Sequence, residues 1–220
     1  MSQPSGINKD KNALDLVSTF SEFALDRALV SSGIANDLFL GELAKEVPVI
    51  GTVVRLADLA TGVRDRLFLE KMCRFAQPAD SVPPEEREKF GKMLSEDLAL
   101  QTRVKQNLPL LIDQLSEMEK ATIVGWFFAA LVQGRISYRQ FVSLSNCVSR
   151  VTYSDICTLV ESSIKNDNNV LDSATRESLA AGGLMRSMGH AMGDHVHNYY
   201  VPNEAAELML ELIKPHLAKE

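Results

Sequence analysis

One uncharged run, ATIVGWFFAALVQG from Ala121 to Gly134, narrows what this chain can fold into. It carries Trp126, Phe127 and Phe128 and has no charged residue to mark a solvent face. As a helix it must therefore be covered on most sides. A bilayer-spanning helix needs roughly 18 to 20 apolar residues, more than the run supplies. The place left for it is the centre of a helical core. Ser116 and Glu119 have the spacing of a capping box that opens this helix, and Gly134 has the position of its stop.

The flanking sequence supplies helices to cover it. Residues 1–12 are polar and read as a loose terminus. From Ala13 to Val30 the residues Leu14, Val17, Phe20, Ala24 and Ala28 recur at helical spacing. Gly33 interrupts, Ile34–Ala44 predicts a second short helix, and Pro48 suits the first turn of a third. The prolines of QPADSVPPEE predict a linker near 77–84, with Ser81, Glu85 and Glu86 signalling the next helix start. Helices are expected over Pro84–Leu94 and Asp97–Gln106, and Pro109 is expected to kink or break the pattern before LLIDQL. Beyond Gly134, Ser137 predicts a helix cap with the helix reaching Val148. Thr152 and Asp155 open another helix, to Ile164. NDNN reads as a loop. Asp172 or Ser173 caps a short helix that Gly182 and Gly183 end. LMRSMGHAMGDHVHNYYV reads as two short strands around a glycine-containing loop. Pro202 and Asn203 restart a last helix, with Leu208, Leu212, Ile213 and Leu217 as its apolar stripe. The expected fold is mainly α: a helical part over 13–134, then a module over 135–220 with a small two-stranded hairpin.

Composition limits the function classes. Of 220 residues, 45% are hydrophobic and 24% charged, enough apolar content for a full core. The net charge of -6 gives no general attraction to nucleic acid or anionic lipid, so such binding would need a local basic patch. Cys73, Cys147 and Cys157 are odd in number, scattered and without CxxC spacing, which argues for a reducing compartment. The first residues lack the basic and apolar regions of a signal peptide, so a cytoplasmic location is expected.

The segment Val47–Phe75, VPVIGTVVRLADLATGVRDRLFLEKMCRF, is apolar first and cationic-amphipathic second. Stretching it to a membrane span would bury Arg55 and Asp58 at about 2.5 to 3.5 kcal/mol each, so a transmembrane span is not expected. Arg64, Arg66, Phe68, Lys71 and Arg74 form a candidate partner-binding face, for an acidic protein or a peripheral membrane contact. Asp58, Asp65 and Glu70 intervene, and a solvated helix face is the plainer alternative.

The C-terminal third carries a resemblance. Gly183, Leu184 and Met185 end a helix in the Gly-Leu-hydrophobic manner, and Tyr199, Val201 and Ala205 follow a Tyr-x-Leu-Thr-x-x-Gly return, with Pro202 or Asn203 where threonine is usual. From Ser137 to Glu220 this resembles a winged-helix module. The resemblance implies a hairpin wing and either DNA binding or protein docking. Over 151–220, five basic residues stand against ten acidic ones, a difference of -5 within a whole-chain charge of -6. The expected wing offers only Arg186 to phosphates, with Asp194 opposing it, so protein docking is the expected use. The upstream pattern PVIGTVV…RDRLFLEKM…F…PPEERE is similar to a group of uncharacterised bacterial proteins. That implies a bacterial origin and no chemistry.

Candidate chemistry is sparse. His190, Asp194, His195 and His197 offer imidazole and carboxylate of the kind zinc accepts, although solvated wing residues give the same pattern and no HExxH or CxxC accompanies them. Ser162 and Lys165 have S-x-x-K spacing without the companion motifs that would make it catalytic. No nucleophile elbow, phosphate-binding loop or dinucleotide fingerprint is present. Met185, Met188 and Met192 suit an adaptable interface or gap-filling beneath the wing. The expectation is a non-enzymatic protein with no cofactor, acting as an adaptor or regulator and self-associating. Two alternatives are a DNA-binding regulator reading through the helix from Thr152, and a membrane-surface or defence effector using Val47–Phe75.

Overall fold

The computed structural model describes residues 63–192 and 195–217, with 190–192 and 195–198 described by their backbone. The helices expected over Ala13–Val30, Ile34–Ala44 and from Pro48, and the first part of Val47–Phe75, lie outside the described residues. Among those described, eight α-helices and one antiparallel hairpin make a mainly helical fold, as the periodicity predicts.

The uncharged run forms α4 (Met118–Val132), after α1 (Val63–Asp80), α2 (Pro84–Glu96) and α3 (Leu98–Asp113). Phe127 and Phe128 are fully buried, and Phe128 meets Phe75, Phe90 and Phe141 at ring separations of 5.1, 6.0 and 5.8 Å. Such tilted and edge-on contacts add to area burial. The helix ends in a Schellman closure. Gly134 takes φ +71°, its N–H bonds to the Leu131 carbonyl at 3.0 Å, and Arg135 N–H bonds to Ala130 O at 2.9 Å.

The expected capping box at its start does not form. The N-cap residue is Glu117, without a side-chain cap bond. Ser116 Oγ instead accepts from Lys120 Nζ at 3.0 Å, and Glu117 pairs with Lys120 at 2.8 Å. Burying the Lys120 ammonium, 2% exposed, demands partners, and that demand outweighs a local cap.

The linker at Pro78 and the break at Pro109 are also corrected. α1 continues through Pro78 to Asp80, so the linker near 77–84 shrinks to residues 81–83. In the last turn a missing N–H removes one bond, and the Pro78 ring lies against α4 at Gly125. Ser81 does not cap α2; its Oγ donates to Pro78 O at 2.7 Å and closes α1, while Pro83 is the N-cap of α2 without a side-chain bond. α3 begins at its Asp97 cap and runs through Pro109 to Asp113. Leu108, Leu111 and Ile112 are buried on both sides of that proline. At about 1.5 to 3 kcal/mol each, their burial exceeds the roughly 3 kcal/mol that an interior proline costs.

The C-terminal part follows its caps closely. α5 (Tyr138–Arg150) starts with the reciprocal Ser137–Gln140 box, and α6 (Tyr153–Lys165) with Thr152 Oγ1 accepting from Asp155 N–H at 3.1 Å. Asp155 does not return the bond; its carboxylate accepts from Ser178 Oγ on α7 (Ser173–Ala181) at 2.6 Å. Asp172 caps α7, and its bond from Thr175 N–H holds the carboxyl below the usual range. Gly183, at φ +87°, closes α7 in a second Schellman pattern. β1 (Met185–Met192) and β2 (His195–Pro202) then pair antiparallel.

Asn203 joins hairpin to helix. Its amide donates to Gly183 O at 2.9 Å and its Oδ1 accepts from Ala206 N–H at 3.1 Å, opening α8 (Glu204–Leu217). The buried face of α8 is Ala206, Met209, Leu210, Leu212 and Ile213. The expected stripe is therefore half right. Leu212 and Ile213 are core, Leu208 and Leu217 pack at its edge, and Met209 takes the central place.

Candidate functional site

The site begins where α6 is pinned. Tyr153 N–H, at the first turn of α6, donates to both carboxylate oxygens of Glu117, at 3.1 and 3.2 Å. A carboxylate is favoured at a helix N-terminus by the unsatisfied N–H groups and the helix dipole. Glu117 thus links the buried Lys120 of α4 to the start of α6.

From that anchor α6 buries Ile156, Leu159 and Val160, and α8 packs against it. Its other residues leave a groove open to solvent between α6 and the last turn of α8. The groove holds about 270 Å³ and is walled by Tyr153, Cys157, Val160, Ile164 and Leu217. Glu161 and Lys165, an ion pair one turn apart, rim it. Ile164 is 53% exposed, a large apolar side chain left at the edge of an apolar depression. The volume falls below the roughly 300 Å³ where small-molecule sites begin, and the walls are apolar, which suits side chains of a partner better than a metabolite.

Chemical groups at the groove are quiet. The hydrogen bond from Lys165 to Glu161, with the carboxylate charge behind it, raises the lysine above its ordinary value, so it stays protonated at neutral pH. Ser162 Oγ donates to Asp167 O at 2.9 Å, so the S-x-x-K spacing does not join serine to lysine. Elsewhere, burial pushes the Cys73 thiol up to about 12 and the Cys147 thiol upward, the reverse of thiol activation.

The candidate partner face on α1 is largely engaged with the fold. Arg64 pairs with Asp113 at 3.1 Å, Lys71 Nζ donates to Asp113 O at 3.1 Å, and Arg74 pairs with Glu70 at 3.1 Å. The first two contacts tie α1 to the end of α3, and the third lies within α1. Phe68 packs on the core, and Arg66 lies half-buried on the same helix. Of the methionines, Met185 is buried and Met188 exposed, while Met192 ends β1. His190 and His197 occupy opposite register positions, His195 lies opposite Met192, and Asp194 is outside the described residues. The helix directly before the hairpin is α7, with Arg176, and α6 lies one element upstream.

The groove was not among the sequence candidates. Its signal was present: Tyr153, Cys157, Val160 and Ile164 recur at helical spacing beside the buried Ile156 and Leu159, making the apolar arc of α6 wider than one helix contact needs. No protein-family model, curated protein or solved structure matches the chain. Among the described residues, no helix is long and apolar enough to cross a membrane.

Proposed function

We propose that this protein is a non-enzymatic binding protein, an adaptor or regulator, whose α5–α8 region is a winged-helix-like module used for protein docking. The observation that carries this is the groove between α6 and α8, apolar in its walls, rimmed by one acid and one base, with Ile164 exposed beside it. An amphipathic helix laying two or three apolar side chains into such a groove is a recurrent recognition mode, and the Glu161–Lys165 rim offers polar register to either sign of partner residue. The order of three helices, hairpin and helix supports the winged-helix-like assignment. The acidic balance of the region supports protein over nucleic acid as partner.

Helical peptides selected by display against the immobilised full chain test the proposal. They should bind in solution and lose at least about tenfold in affinity for Ile164→Asp, as expected for an anchor residue at an interface core. Ile164 is exposed, so the variant should melt like the wild type. Peptides that bind both proteins equally, or failure to select any, would overturn it.

A further inference from the structure

The groove between α6 and α8 lies beside its own complement. Tyr153, Cys157, Val160, Glu161, Ile164 and Lys165 follow the spacing of one arc of α6, and all of them border the groove. Ile164 stands exposed on that arc, an apolar knob next to an apolar hole. Knob and hole on one surface are what an isologous contact requires, because the same patch then serves both subunits. The rim charges share this property. Glu161 and Lys165 are one turn apart and together carry no net charge. A two-fold axis crossing α6 between them sets two copies of the helix antiparallel. Glu161 of each copy then faces Lys165 of the other, with the two Ile164 side chains close to the axis. A partner of strong single-sign charge gains nothing net from such a rim, whereas a second copy brings the matching pair.

We propose that the occupant of this groove is a second copy of the chain, docked through α6 as an antiparallel two-fold dimer in which Ile164 of each subunit seats in the other's groove and Glu161 of each pairs with Lys165 of the other. The inference rests on the reading of the groove as a docking site for an apolar helix face, and it names that helix as α6 itself. Burial of Ile164 and the groove walls drives the association. The charges set its register: dimerisation exchanges two ion pairs within subunits for two between them, so their number is unchanged while every other alignment loses them. A contact made by one helix face and the last turn of α8 is at the small end of specific interfaces, so the dimer forms reversibly and with concentration. It also covers the groove, so another protein's helix competes with the second copy for it.

The experiment is sedimentation velocity of the full chain over a concentration series, with charge-swapped variants. The wild type should pass from monomer to dimer, and Ile164→Asp should weaken dimerisation at least about tenfold, as for an anchor at an interface core. Each substitution acts twice in a symmetric dimer, so Glu161→Lys and Lys165→Glu, which set like charges opposite each other, should each weaken it about tenfold or more. An equimolar mixture of these two variants should recover a heterodimer within about threefold of the wild-type affinity, because both cross-pairs are again of opposite charge. Circular dichroism checks that these exposed substitutions leave each subunit folded. Dimerisation unchanged by Ile164→Asp, or charge variants that dimerise like the wild type or fail to recover on mixing, would overturn the proposal. So would a chain that stays monomeric at every concentration; if selected helical peptides still bind that monomer through Ile164, the docking groove stands and its occupant is another protein.

Discussion

Gly125, the single glycine of α4, should resist replacement, and the cost of replacing it follows from the α1–α4 crossing. A Cβ built there lies 2.4 Å from the Phe75 carbonyl oxygen, 2.9 Å from Pro78 Cγ and 3.0 Å from Pro78 Cδ. Non-bonded heavy atoms sit comfortably at about 3.5 to 4.0 Å, so the two helices would have to part by about an ångström. Neither neighbour can swing aside, since one is helical backbone and the other a closed ring. Overpacking of this kind costs about 1 to 3 kcal/mol, and a carbonyl contact that short belongs at the upper end. Alanine recovers about 1 kcal/mol of helix propensity over glycine. The net for Gly125→Ala is then about 2 kcal/mol of destabilisation, or a fall of about 4 to 8 °C in Tm for a chain of this size. Thermal and denaturant unfolding measure it. A double-mutant cycle with Pro78→Ala should show coupling, because part of the clash is with that ring. If Gly125→Ala melts at or above the wild-type temperature, propensity alone governs the site and the close crossing is wrong.

Other perturbations read other parts of the structure. Glu117→Ala should destabilise by about 2 to 3 kcal/mol, since it leaves the Lys120 ammonium buried without its carboxylate, whereas Lys120→Met should be near neutral; equal effects in chemical denaturation would refute that asymmetry. With its thiol at about 12 against an ordinary 9.0, Cys73 should react with iodoacetamide about 1000-fold more slowly at pH 8 than an ordinary thiol, read by mass spectrometry of the labelled peptide; labelling at an ordinary rate would contradict the burial. The same shift has a sign for stability. The folded state holds the proton longer than the unfolded one, so this contribution is full below pH 9 and is lost as pH rises from 9 toward 12. Trp126, the one tryptophan, stacks on His216 at 4.7 Å and 11°. His216→Ala removes that stacked ring and should change the emission of Trp126 at constant pH; an unchanged spectrum would contradict the stacking.

What the sequence made legible was local grammar, and what it hid was set by tertiary demand. The boundaries from Gly134 onward were readable because Ser137, Thr152, Asp172, Gly134 and Gly183 each satisfy orphan backbone groups within a few residues of themselves. Ser116 misled because Lys120, fixed four residues along α4 and buried, claimed its hydroxyl. Pro78 and Pro109 misled because a proline's lost bond is a fixed local cost, while the packing that offsets it comes from Gly125 and from Leu108, Leu111 and Ile112. The groove was hidden for the same reason. A wide apolar arc on α6 predicts burial, and only the position of Leu217 on α8 shows that the arc is left partly uncovered.

The hairpin shows how register decides what a sequence pattern means. Met-x-His-x-Met and His-x-His both have the period of a strand, so each set stays on one face in any ladder. Whether the two sets meet depends on a single residue of register. As paired, His190 faces His197; a slip by one would set it opposite Val196 or Asn198 and put the two sets on opposite sides of the ribbon. The base of the hairpin prevents that slip. Met185 is buried and Tyr200 packs on the core, and Asn203 holds both the end of α7 and the start of α8. A shift would expose the first two and break the third, and exposing one buried methionine alone costs about 1.5 to 3 kcal/mol. The packing that fixes the module's core thus also fixes which side chains share the outer face. Substitutions at Met185 or Asn203 should therefore loosen the whole ladder, read as faster amide hydrogen exchange along β1 and β2, while exchange in α4 stays unchanged.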